Sequence, residues 1–306
     1  MSAPDHRAVI AGISAEDRAA LTALSNGPGL IHLAVHLGLI AAIGTLIVLR
    51  VPWWPVLMLP QGILIVFLFT ALHEATHETA FRSGFLNKAV AALCGFLVAV
   101  PPNWFRYFHF AHHRHTQDEA RDPELMAKKP ETLWQYVRYL SGLPLWWSAI
   151  KVLVSNALGR AKDDYVPPRG RSAVMREARI MLALYAALAL GSIYLQRDEL
   201  VWVWLVPVLL GQPFLRAYLL AEHACCPLVA NMFENTRTTF TTAAVRFLAW
   251  NMPYHAEHHA YPVVPFHKLP DFHRLARTHL KTTENGYLRF HRKFAGTLTP
   301  GDRPAA

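Results

Sequence analysis

Apolar residues in this chain are gathered into long runs, and that gathering constrains its fold more than any other feature. Four runs, at about 29–49, 53–72, 178–195 and 200–220, approach the ~20 apolar residues an α-helix needs to cross a bilayer. Val51 and Pro52 are almost the whole connection between the first two, and 196–199 joins the last two. In hydrocarbon the backbone must satisfy its own hydrogen bonds, so such runs fold as helices, and Pro60, Pro207 and Pro213 are tolerated within them. A shorter run, about 85–100, ends at Pro101 and Pro102 and reads as an embedded or interfacial helix that need not cross. Charged residues make up only 17% of the 306, against about 25% in soluble domains.

Two hairpins with such short connections leave one topology, with both termini and the segment 101–177 on the same side. Of 30 Lys and Arg, only Arg50 and Arg197 fall in the short connections. The positive-inside rule then places the termini and the long segment in the cytoplasm. The net charge of +9 is therefore loop charge of a membrane protein, and no nucleic-acid partner is expected. Trp53, Trp54, Trp202 and Trp204 sit near span ends as interfacial aromatics do. The stretch 160–176, with Pro167, Pro168 and four arginines, reads as a loop before the third span. Cys94, Cys225 and Cys226 form no CxxC pair, which argues against a disulfide framework or a thiolate zinc site. Residues 1–28 contain no apolar core of a cleaved signal peptide. The expected architecture is an all-α integral membrane protein: four transmembrane helices in two hairpins, plus a cytoplasmic helical cap from 101–177 and 223–306. Residues 1–306 form a single domain in this reading, in the inner (cytoplasmic) membrane.

The chain has 17 histidines, and most fall in three clusters: His73-Glu-Ala-Thr-His77, His109-Phe-Ala-His112-His113 and His255-Ala-Glu-His258-His259. Residues three and four apart share a helix face, so HxxxH offers two imidazoles side by side and HxxHH offers three from one arc. The second and fourth spans both descend to the cytoplasmic face. His73, His77 and His223 therefore reach the surface that carries His109, His112, His113, His255, His258 and His259. Nine imidazoles exceed the needs of one metal and suit two, with room for oxygen or water. Imidazole alone does not choose among zinc, copper and iron. Glu74, Glu78, Asp118, Asp122, Glu222 and Glu257 stand beside the clusters, some to take the second N–H of ligating histidines, others to pair with Arg82, Arg114 or Arg121. His115 is expected at the second shell or surface. His32 and His36 read as interfacial packing, and His267, His273, His279 and His291 as solvated. The run Trp104–Phe108 is equally a tunnel wall or an interfacial belt, with Arg106 facing an anionic head group or lipid phosphate.

These boxes, in this order and with these separations, together with the runs HFAHHRHTQDEARDPEL (109–125) and NMPYHAEHHAYP (251–262), resemble the membrane fatty acid desaturase and hydroxylase superfamily, bacterial members in particular. The similarity extends from the first span to about residue 275. It implies a cytoplasmic di-iron centre, molecular oxygen as co-substrate and a lipid or acyl chain as substrate. Iron is preferred on the resemblance, with zinc an expected artefact of purification. The centre would supply an oxidant able to take hydrogen from an unactivated CH₂. A second abstraction gives an alkene, and return of the hydroxyl gives an alcohol. The chain departs from the stearoyl-CoA desaturases at Leu219, where they carry an Asn that holds a metal-bound water. It also contains no HPGG-type cytochrome b5 segment, so a separate ferredoxin- or cytochrome-type donor with its reductase is expected. A carotenoid ketolase or hydroxylase and a histidine-rich metal transporter are the rival readings. The transporter fits less well, because transporters hold their ligands at mid-membrane.

Overall fold

A computed structural model describes residues 5–299; the ends of the expected unit, 1–4 and 300–306, lie outside the described residues. The long helices are α3 (Gly27–Val48), α4 (Trp54–Thr76), α9 (Pro168–Tyr194) and α10 (Val206–His223). A π-helical turn, Val201–Leu205, leads into α10. Before them stand α1 (His6–Ala11) and α2 (Ala15–Thr22); between them stand α5 (Gly84–Leu97), α6 (Pro102–His115), α7 (Leu133–Leu140) and α8 (Leu143–Ala157). The remainder holds α11 (Met232–Asn235), α12 (Ala243–Leu248), α13 (His255–Ala260), α14 (Leu269–Ala276) and α15 (Tyr287–Thr297).

Among the described residues three helical stretches are long and apolar enough to cross a membrane: Ala15–Val48, Trp54–Thr76 and Val201–His223. A fourth is counted if α5 and α6, bent by 100°, are taken as one span. The bend follows from Pro101 and Pro102, since Pro102 starts α6 at its first turn, where a missing N–H costs nothing. The stretch 160–176 is helical from Pro168 onward and not all loop, for the same reason. α9 therefore opens on Arg169, Arg171, Arg176 and Arg179, and its uncharged part, 180–194, has 15 residues. At about 1.5 Å per residue that part covers about 22 Å, less than the ~30 Å hydrocarbon core.

α4 and α10 cross in backbone contact. A Cβ on Gly62 would lie 1.8 Å from the Pro207 carbonyl oxygen, and one on Gly211 would lie 2.3 Å from the Gly62 carbonyl carbon. Small residues at such a crossing let membrane helices approach closely. His73 lies 11 residues beyond Gly62 and His223 lies 12 beyond Gly211, or about 17 and 18 Å at helical rise. The crossing thus delivers both histidines to one level. At the opposite end, Arg50 lies 3.6 Å from Asp198 and the Trp54 and Trp202 rings meet edge to face at 5.7 Å, so the two short connections are neighbours.

Two three-residue strands add β-structure to the expected all-α fold. β1 (Thr238–Phe240) and β2 (Thr283–Asn285) pair in parallel with Thr238 opposite Thr283. The pair encloses α13, and Thr239 N–H donates to the Pro253 carbonyl at 2.9 Å just before it. Glu74 accepts the Phe266 N–H at 2.9 Å, which ties the end of α4 to the segment after α13. Arg237, buried under Phe290, donates to the carbonyls of Ala221 and Ala224. It caps the carbonyls that the end of α10 leaves free.

Candidate metal centre

α4 runs unbroken through the first box to Thr76, with His77 at its C-cap. The second box lies on α6 and the third is α13 itself. All nine expected histidines come together, and they divide into two clusters. His73, His77, His109, His113 and His258 place one ring nitrogen each within 4.8 Å of one another, as do His112, His223 and His259. His255 joins the second group, its Nε2 lying 3.1 Å from His223 Nε2 and its ring 4.6 Å from that of His259.

The HxxHH box does not present three imidazoles to one point, as the sequence reading had it. His109 and His113 go to the five-imidazole cluster and His112 to the other. In α13 the assignment is reversed, with His255 and His259 in the four-imidazole cluster and His258 in the five. Residues i and i+4 are about 40° apart around a helix, whereas i+3 falls about 60° to the other side. One box therefore serves two neighbouring centres. The His113 and His259 rings stack at 4.0 Å where the clusters meet.

Donor separations match those around one ion. Ligands about 2.1 Å from a metal lie about 3.0–3.4 Å apart when adjacent. His112 Nε2 to His223 Nε2 is 3.2 Å, His223 Nε2 to His255 Nε2 is 3.1 Å, and His77 Nε2 to His109 Nε2 is 2.8 Å. Both ring nitrogens of His73, His113 and His258 are buried without a hydrogen-bond partner among the described residues. Burying such polar atoms unpaired is costly, and a bound cation would satisfy them.

The four-imidazole cluster has an outer frame. His112 Nδ1–H donates to Asp122 at 2.9 Å, His259 Nδ1 faces the Thr116 hydroxyl at 3.2 Å, and His223 Nδ1 faces the Asn235 carbonyl at 3.5 Å. His255 Nδ1 stands 3.4 Å from Glu222. The Nδ1 atoms of His112, His223 and His259 are thus engaged outward, while that of His255 faces Glu222 without a hydrogen bond. In the first three this leaves Nε2 facing the centre, as ligating imidazoles require. On α13, burial above all, then the neighbouring imidazoles, hold His255, His258 and His259 well below the usual histidine range. They are neutral at pH 7, the form that binds metal.

The other carboxylates divide as expected. Asp118 pairs with Arg121 at 2.5 Å and Glu78 with Arg106 at 3.4 Å. Glu257 accepts from Thr238 and His273. His273 is therefore built into the shell behind the third box, not solvated. His291 corrects the same expectation: it contacts the Tyr136 hydroxyl at 2.7 Å and the Ala217 carbonyl at 2.9 Å. His32 and His36 stay outside the centre and contact the carbonyls of Phe247 and Leu64. Arg106 donates to the Thr76 carbonyl and covers Phe110, so it braces the first box. Phe105 is buried, stacked 5.1 Å from His109 and edge-on to Phe69.

Sequence reasoning missed Glu124. Its Oε2 lies 3.1 Å from His112 Nε2 and 4.0 Å from His223 Nε2, and its Oε1 accepts from Lys129 at 3.0 Å. Burial alone would raise this carboxyl, but Lys129 above all, then His112 and His223, hold it well below its usual range. The signal was present in the Asp122-Pro123-Glu124 run, which places Glu124 eleven residues beyond His113, the last imidazole of the second box.

The fatty acid desaturase family model matches residues 50–291. This chain belongs to the fatty acid desaturase family. It is 26% identical to a dihydrorhizobitoxine desaturase of Bradyrhizobium elkanii over 90% of this chain and 81% of that protein. It is 24% identical to a sphingolipid delta(4)-desaturase of Drosophila melanogaster, over 71% of this chain and 64% of the relative. The same identity relates it to a beta-carotene ketolase of Haematococcus lacustris, over 70% and 61%. Family and apolar helices together make the chain an integral membrane oxidoreductase, and its histidine clusters fit a metal centre.

Proposed function

We propose that this desaturase-family protein is a di-iron, O₂-dependent enzyme that desaturates a fatty acyl or lipid-like chain. The observation that carries the reading is the division of nine imidazoles into two adjoining clusters with donor spacings suited to one ion each. His73, His77, His109, His113 and His258 would hold one ion, and His112, His223, His255 and His259 the other. With oxygen the pair supplies an oxidant strong enough for an unactivated C–H bond. The chain's own part is placement: Asp122, Thr116, Asn235 and Glu222 fix ring orientation, and Phe105 and Phe69 give an apolar wall beside the five-imidazole cluster.

The neighbouring short connections support two hairpins with α9 as the third crossing, its arginines reaching back to the head groups. They support a site and termini on the cytoplasmic side of the inner membrane. Segment 101–177 and the residues after His223 hold 22 of the 30 Lys and Arg, a face that would speed encounter with an acidic ferredoxin- or cytochrome-type donor. The relative named as a ketolase keeps hydroxylation or ketone formation as the second reading. Purified protein with two metals per chain, donor-dependent O₂ uptake that falls as salt rises, and an unsaturated product is the expected result. One metal per chain, metal flux across vesicles without O₂ uptake, or turnover with O₂ and reduced nicotinamide alone would each count against it.

A further inference from the structure

We propose that Glu124 supplies a carboxylate oxygen to the metal of the four-imidazole cluster, with Lys129 gripping its second oxygen to aim it. This rests on the two-metal reading above. Three observations point the same way. First, Glu124 Oε2 stands 3.1 Å from His112 Nε2. That matches the 3.1–3.2 Å between the imidazole nitrogens of the same cluster, so it occupies one more corner of the same donor set. Second, the residue is positioned from both ends. Asp122 Oδ1 accepts the Glu124 N–H at 2.9 Å and the His112 Nδ1–H at 2.9 Å, while Asp122 Oδ2 accepts the Gln117 N–H at 2.8 Å. One carboxylate thus sets the ring of His112 and the backbone of Glu124 together, and Lys129 then fixes the far end of the side chain. Third, the donor count is completed. One cluster has five imidazoles and the other four, and Glu124 brings the second to five. It also adds the negative charge that neutral imidazoles lack, which hard cations favour.

An ordinary ion pair is the competing explanation, and it makes a different prediction. If Glu124 serves only Lys129, removing either partner should have the same effect, and neither should alter the metals. The test loads full-length protein in detergent with Co²⁺ alone and reads the cobalt count, the visible spectrum and the rate of release to a chelator. Wild type should hold two ions. Glu124→Gln, isosteric and able to fold, should release one of them about 10- to 100-fold faster or hold only one, with a changed visible band. Glu124→Ala should do the same. Lys129→Met should keep two ions and a wild-type band, with release several-fold faster at most. Two cobalt ions with wild-type spectrum and release in both Glu124 variants would overturn the proposal while leaving the two-metal reading intact. Fewer than two in the wild type would overturn the two-metal reading, and this proposal with it.

Discussion

The two histidine clusters share two stretches of chain, α6 and α13, and differ in how they are held. The five-imidazole cluster has three rings with neither nitrogen bonded to protein, so packing holds it: Phe105 against His109, and helix backbones that place the rings. The four-imidazole cluster sits in a frame of Asp122, Thr116, Asn235 and Glu222, with Glu124 beside it. A site formed by packing depends on helix placement, whereas a framed site depends on individual hydrogen bonds. Substitutions should therefore separate the two.

The largest effect is expected from the imidazoles. His258→Ala or His112→Ala should abolish product while the protein still accumulates in the membrane, because the apolar helices drive insertion. Product at the wild-type level from either would remove it from the centre. Next comes the helix crossing. Gly62→Val forces a side chain into the Pro207 carbonyl and should cost about 3 kcal/mol or more. It should cost both clusters their metals together, which elemental analysis and a thermal melt would show; loss from one cluster alone would contradict the account of the crossing.

A framed site should fail by degrees. Asp122→Asn should weaken one metal by about 10- to 100-fold and leave the other unchanged in a chelator competition. Equal weakening of both would erase the distinction. Acid acts on both clusters. His255, His258 and His259 have folded-state values below the ordinary histidine value, so their contribution to stability is present above about pH 6.5 and lost as pH falls below it. Metal-free protein should melt progressively lower beneath that pH; a flat profile from pH 7.5 to 5 would contradict this. The smallest effects lie outside. Tyr136→Phe removes a hydrogen bond to His291 and should cost about 1 kcal/mol with the metal count unchanged, and His279→Ala should be nearly silent in the same melt.

α3, α4 and α10 were legible in the sequence because hydrocarbon demands an unbroken apolar run, and a run that long has one fold. Eight of the nine imidazoles were legible because spacing of three and four fixes a helix face, and His223 because it ends the fourth apolar run on the same side. Their division between two centres was not, because it depends on where α6 and α13 lie relative to α4. Glu124 was missed for a related reason: it stands in a loop with no periodicity, and only the Asp122 turn brings it back to His112. His273 and His291 were misread as solvated because short amphipathic helices place half their residues inward without changing composition. The β1–β2 pair is three residues long on each side, below any pattern that alternation can reveal.

The contact of Gly62 with Gly211 also works as a fulcrum. His73 and His223 hang at the ends of two arms about 17 and 18 Å long, so each degree of change in the crossing angle moves an arm's end by about 0.3 Å, when misplacement by 1 Å at a reacting centre can cost about 100-fold in rate. Substitutions near the fulcrum, buried and far from any imidazole, would tune the gap between the two histidine clusters as a gear sets a fine screw. The spacing of the histidine clusters is accordingly set from the Gly62–Gly211 crossing, well away from the rings themselves.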